Sequence, residues 1–175
     1  MGQKSNSLII VESPSKAKTL KRFLGDEYAI EASVGHVRDL PKSDLGVDVD
    51  NGFSATYVPS KDKTKVISQL KSIIKKADIL YLATDPDREG EAIAWHLMEL
   101  LKPKIPVKRL AFHEITKTAI QESFDHTREI DQDLVSAQEA RRILDRLWGY
   151  LVSKKLWFNV KGGLSAGRVQ SPAIK

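Results

Sequence analysis

The 175-residue chain contains no cysteine. That excludes disulfides, thiolate zinc sites and a cysteine nucleophile, and it suits a reducing cytoplasm. Long apolar runs are missing as well. Nothing approaches the ~20 residues needed to cross a bilayer, so no membrane partner is expected. The apolar run Leu8–Val11 near the start is too short for the h-region of a secretory signal. Repeats and low-complexity segments are absent. What remains is an ordinary globular composition, 41% hydrophobic and 29% charged, with a net charge of +5. The length suits one compact domain with part of a second. The positive charge is uneven: from Asp131 onward eight Lys/Arg face four acids, so +4 of the +5 falls in that segment. This basic end is the candidate surface for a polyanion.

The chain is organised around Ala83-Thr84-Asp85-Pro86-Asp87-Arg88-Glu89-Gly90-Glu91. Asp85, Asp87 and Glu89 alternate directly after the apolar run Ile79–Leu82. Ile93, Leu97, Leu100 and Leu101 then recur at helical spacing. The pattern predicts a strand, an acidic turn and a helix. In an open α/β sheet, ligands gather beyond the carboxyl ends of strands, where these acids stand. Clustered carboxylates repel unless a cation is present, and hard oxygen donors point to Mg²⁺. A solvated acidic helix start is the competing reading, since the helix dipole favours acids there in any case.

Leu8–Val11 reads as a buried parallel strand ending at Glu12. Ser13-Pro14 predicts a capped helix that Gly25 stops; its N-terminus and Lys16 would face an anion. Tyr28–Ala32 is a second strand, followed by the loop Gly35–Pro41 with His36. Val47–Val58, with Asp50-Asn51-Gly52 in its middle, predicts a hairpin. A helix is expected over Lys61–Ala77, a strand over Val107–Phe112, and a helix capped by Thr116 that runs to about His126. His113 and Glu114 are expected to be structural. Strands alternating with helices make a βαβ parallel-sheet architecture. From Asp131 a long amphipathic helix is expected, with Leu134, Ala137, Ala140, Leu144, Leu147 and Leu151 as its apolar stripe. Arg142 and Arg146 share a face, and Asp145 lies one turn from Arg141. A glycine-rich stretch, Gly162 to Ser171, closes the chain.

Three segments together, Val11–Thr19, Gly35–Pro41 and Ala83–Glu91, resemble the Toprim domain of the type IA family of bacterial DNA topoisomerases. Ala140–Tyr150 and Leu164–Ser171 resemble the start of the helical domain that follows it there. The resemblance implies an α/β Toprim fold, a Rossmann-like parallel sheet flanked by helices, over residues 7–128. The start of a helical single-strand DNA-binding domain would occupy 129–175. It further implies relaxation of negatively supercoiled DNA through a transient 5′-phosphotyrosine, without ATP. Glu12, Lys16 and Arg88 would be catalytic: Glu12 as proton carrier, Lys16 offsetting the charge of the scissile phosphate. Glu12, Asp85, Asp87 and Glu89 would hold Mg²⁺. His36, Arg141, Arg142, Asp145, Arg146, Ser165, Ala166, Gly167, Arg168, Val169 and Gln170 would form the DNA-binding set, Asp145 holding arginines in place.

The family's nucleophilic tyrosine has no counterpart here. Tyr28, Tyr57, Tyr81 and Tyr150 fall in segments with other roles. The chain is therefore expected to be an N-terminal piece of a cytoplasmic, nucleoid-associated, monomeric enzyme, inactive without its remaining domains. Two alternatives stay open: a Toprim nuclease or primase-like enzyme using the same acids, and a non-catalytic nucleic-acid-binding module.

Overall fold

The computed structural model describes residues 6–168. Its elements follow in the order β1 (Ser7–Val11), α1 (Pro14–Leu24), β2 (Tyr28–Ala32), β3 (Arg38–Asp39), β4 (Val47–Asp48), β5 (Ser54–Ala55), β6 (Val58–Pro59), α2 (Thr64–Ile74), β7 (Ile79–Leu82), α3 (Arg88–Leu101), β8 (Val107–Arg109), α4 (Lys117–Asp125) and α5 (Gln132–Asn159). They form two compact units, one of residues 6–39 and 59–135, the other of 40–58 and 136–168.

The first unit is built on a four-stranded parallel sheet in the order β2-β1-β7-β8. Alternation along β1 divides the core in two. Leu8 and Ile10 pack with Leu70, Leu80, Leu82, Ile93 and Leu97 on the face covered by α2 and α3. Ile9 and Val11 pack with Leu20, Leu110, Phe112 and Ile120 on the face covered by α1 and α4. A strand buried on both faces reads as a continuous apolar run, as Leu8–Val11 does. Because β2 lies on one side of β1 and β7 on the other, the chain switches direction between β1 and β7. The crevice for ligands in such a sheet opens there, beyond the carboxyl ends. Glu12 follows β1 and Asp85 follows β7.

Local signals act as the sequence predicts. The Ser13 hydroxyl accepts from the Lys16 N–H, Pro14 opens α1, and Gly25, at φ 66°, donates its N–H to the Lys21 carbonyl. The Thr116 hydroxyl caps α4 by accepting from Ala119. Asp131, expected only as the approximate start of the long helix, also caps α5 by accepting from the Asp133 and Leu134 amides. Three expected elements are shorter. The Val107–Phe112 strand stops at Arg109: Leu110 still donates to Leu82, but β7 ends there and offers no further ladder. The helix over Lys61–Ala77 begins as a 3₁₀ turn, Lys61–Lys63, and its α-helical part ends at Ile74. The hairpin pairs only Val47 with Ala55 and Asp48 with Ser54.

The second unit holds that hairpin and most of α5. Asp48 accepts from the amides of Asp50 and Asn51 and from the Asn51 side chain, closing the turn. The Asn51 hydrogen bond is the main reason its carboxyl lies below the usual range. The apolar stripe expected on α5 is largely uncovered: Leu144 and Leu151 are about half exposed, and Ala137 and Ala140 are exposed too. The buried residues of α5 are instead Val135, Gln138 and Ser153. Helical periodicity marks a face able to be buried, and only part of this one is. Among the described residues, no helix is long and apolar enough to cross a membrane.

Candidate functional site

The two strand ends meet through a lysine. Lys16 is 5% exposed, one turn into α1, and its ammonium lies 3.2 Å from Glu12 Oε1 and 2.8 Å from Asp85 Oδ1. It also sits 4.9 Å from the centre of the Phe112 ring. An ammonium placed this deep requires paired carboxylates, and two strands supply one each. Rather than pointing at solvent, Lys16 faces the acids, a cation standing between Glu12 and Asp85.

The rest of the acidic turn is held by its own backbone. Asp87 caps α3 by accepting from the Gly90 N–H at 2.8 Å, and the Thr84 hydroxyl donates to the Gly90 carbonyl at 2.6 Å. Gly90 is obligatory on grounds of space. A Cβ there would lie 2.0 Å from the Asp85 carbonyl oxygen and 2.8 Å from its carbon. Arg88 is exposed at the start of α3. Glu89 pairs with His36 Nε2, which the loop after β2 carries across to the turn. That loop is pinned by Ser33 N–H donating to Val11 O and Gly35 N–H to Glu12 O. It contains Val34 at φ 57°, a left-handed conformation costly for a β-branched residue.

Behind His36 lies His96, buried at 2% exposure with its ring 5.6 Å edge-on to that of His36. Burial, reinforced by the neighbouring His36 and Arg38 charges, pushes the His96 imidazole down to about 3, so it is neutral at pH 7. Arg38 stacks over Trp95 at 5.4 Å.

Sequence reasoning missed the charged cluster beneath the turn. Glu91, with no exposure, receives Arg109 at 2.8 Å and Arg128 at 2.7 Å. Its other oxygen accepts the Asp131 N–H at 3.0 Å. Burial pulls the Arg109 guanidinium below its ordinary range, and Glu91 works against that. A signal existed. Glu91 shares a helix face with Ala94 and Leu101, and a charge on a buried face demands a partner. His113 and Glu114 are exposed, and Glu114 accepts from Thr116.

In the second unit Asp145 gathers two arginines, Arg168 at 2.6 Å and Arg141 at 3.8 Å. Arg146 points at the backbone carbonyls of Leu40 and Asp44. Arg142 is half-buried, Ser165 exposed, and Gly167 half-buried. The Ala166 N–H donates to Ser153 Oγ, and the Trp157 indole donates to the Leu164 carbonyl. Val169 and Gln170 lie outside the described residues.

For a divalent ion the donors are right in kind, all hard carboxylate oxygens, and the Lys16 ammonium already marks a cation position between Glu12 and Asp85. Here Asp87 is committed to the Gly90 N–H and Glu89 to His36. Among the described residues no three acidic or histidine side chains converge as metal ligands in this arrangement, in which Asp87 Oδ1 caps α3 and Glu89 Oε1 meets His36.

Residues 7–115 match the family model of the Toprim domain. The chain belongs to the Toprim family. Beyond it, residues 129–175 of this Toprim chain match the DNA topoisomerase family model. The chain is 53% identical to DNA topoisomerase 1 of Synechococcus elongatus over 96% of its length, and 57% identical to that of Streptomyces coelicolor over 96%. It spans 21% and 19% of those relatives, about a fifth of each. The full-length topoisomerase I of Thermotoga maritima superposes with a TM-score of 0.84 at 51% identity, covering 94% of this chain and 28% of that one.

Proposed function

We propose that this chain is the phosphate- and metal-handling part of a type IA DNA topoisomerase that relaxes negatively supercoiled DNA. The observation that supports this reading is the Lys16 ammonium between Glu12 and Asp85, at the carboxyl ends of neighbouring strands. Residues 7–128 act as the Toprim domain and 129–175 as the start of a helical domain that contacts single-stranded DNA.

In the reaction a tyrosine from another part of the parent enzyme attacks a backbone phosphorus. The bond from phosphorus to the 3′-oxygen breaks, leaving a 5′-phosphotyrosine and a free 3′-hydroxyl. The attacking phenol gives up its proton as the O–P bond forms, Glu12 relays a proton to the departing 3′-oxygen, and resealing runs the same transfer in reverse. Lys16 lies against Glu12, where its charge offsets that of the phosphate. Arg88, exposed at the start of α3, adds a second cation beside the phosphate. Asp85, Asp87 and Glu89, with Glu12 beside them, are the residues that would hold Mg²⁺. When bound, Mg²⁺ supplies charge stabilisation and fixes the phosphate and 3′-end, chiefly for resealing. His36, Arg141, Arg142, Arg146, Arg168 and Gln170 contact the single strand, with Ser165, Ala166, Gly167 and Val169 completing the DNA-binding set and Asp145 setting the arginines. The enzyme works as a soluble monomer at the nucleoid, and this chain alone neither nicks nor relaxes DNA.

The test is complementation. The chain is mixed with the tyrosine-bearing remainder of the enzyme and assayed for relaxation of negatively supercoiled plasmid. Activity only when both are present, lost in Asp85→Asn with Asp87→Asn, is expected. Tyrosine-linked DNA from this chain alone contradicts the reading, and Mg²⁺-dependent nicking without a covalent adduct points to a nuclease.

A further inference from the structure

We propose that Arg109 is the positioning residue of the acidic turn, fixing where Asp85 and its neighbours present their carboxylates. This rests on reading the turn as a metal and phosphate site. Arg109 is 1% exposed, and a guanidinium that deep is tolerated only when its donors are satisfied. Its fork makes four hydrogen bonds and one further ion-pair contact. Nε donates to Glu91 Oε1 at 3.0 Å, and Nη2 lies 2.8 Å from the same oxygen as its ion pair. The Nη1 pair reaches the carbonyls of Leu82, at 3.0 Å, and Leu110. An Nη2 N–H donates to the Asp85 carbonyl at 2.7 Å.

The rigid fork therefore ties together the last residue of β7, the residue after β8 and the first acid of the turn. A lysine, with a single nitrogen, cannot span these positions. From the other side, Gly90 leaves no room for Asp85 to move, since a Cβ there would sit 2.0 Å from the same carbonyl oxygen. The Asp85 peptide is thus clamped between the Arg109 plane and the start of α3. Glu91 sets the plane. It also holds Arg128, whose guanidinium donates to Glu91 and to the Glu129 carbonyl and not to residues 84–90. That asymmetry separates positioning from the mere presence of a buried ion pair.

The experiment measures Mn²⁺ binding to the 175-residue chain by electron paramagnetic resonance, alongside amide hydrogen exchange over residues 84–90. Wild type, Arg109→Lys, Arg128→Ala and Glu91→Gln are compared. Arg109→Lys should bind Mn²⁺ roughly tenfold more weakly or worse, the loss typical when a group orienting metal ligands is removed, with faster exchange over 84–90. Arg128→Ala should leave both unchanged even where its thermal midpoint falls. Glu91→Gln, which keeps an acceptor for the fork, should give an intermediate result and serves if Arg109→Lys does not fold. The inference is overturned if Arg109→Lys, or in its place Glu91→Gln, loses thermal stability but keeps wild-type Mn²⁺ affinity and exchange. It is equally overturned if Arg128→Ala weakens binding as much as Arg109→Lys does. Wild type that binds no Mn²⁺ removes the metal reading instead; exchange over 84–90 then decides the positioning role, supporting it if faster in Arg109→Lys alone.

Discussion

In the first unit the strand Leu8–Val11 has no exposed surface, and Leu20, Leu82 and Leu97 are equally enclosed. In the second, Phe158 is 87% exposed and Trp157 about half. Every exposed large hydrophobic side chain described, except Val34, belongs to the second unit. A sheet covered on both faces closes its own core, and only such a frame can keep Lys16, Glu91 and Arg109 buried, charged and paired. The second unit presents apolar side chains together with Arg141 and Arg168 around Asp145. Such surface suits contact rather than precise placement of reacting groups. Rigidity and reach are thus divided between the units.

The largest test of that division is a pair of leucine truncations read by chemical denaturation. Leu97→Ala, within the closed core, should cost about 4 kcal/mol, whereas Leu151→Ala should cost less than about 1 kcal/mol. Equal costs would erase the contrast. Gly90→Ala should cost about 3 kcal/mol, because the new Cβ meets backbone rather than a side chain that can swing away. Third comes pH. His96 titrates near 3 folded but near 6.5 unfolded, so the unfolded chain binds the extra proton. The stability from keeping it neutral is complete above pH 6.5 and is lost as pH falls towards 3. The expected slope is at most about 1.4 kcal/mol per pH unit in that window, and His96→Gln should flatten it. The smallest effect belongs to the second unit. Arg168→Ala should lower the log–log salt dependence of single-strand binding by about 0.7 for one lost phosphate contact. An unchanged slope would mean that Arg168 serves Asp145 alone.

What the sequence made legible follows the same line. Strands β1, β2 and β7, the caps at Ser13 and Thr116, and the acidic turn all announce themselves, because each depends on residues close in the chain. The pairing of Glu91 with Arg109 and Arg128 does not, since its partners are 18 and 37 residues away and only the folded sheet brings them together. The family resemblance made His36 a candidate DNA contact, but its seat against Glu89, 53 residues on, was not legible. Nor could periodicity say what covers the stripe on α5. It names a face, and covering it depends on other segments.

One double-mutant cycle bears most directly on the single pocket formed by Glu12, Lys16 and Asp85. Mn²⁺ affinity is measured for wild type, Glu12→Gln, Asp85→Asn and the double variant. Groups sharing one cation should be coupled, departing from additivity by more than about 0.5 kcal/mol. Effects that add to within about 0.3 kcal/mol would mean that the two carboxylates act apart, and would contradict the shared pocket.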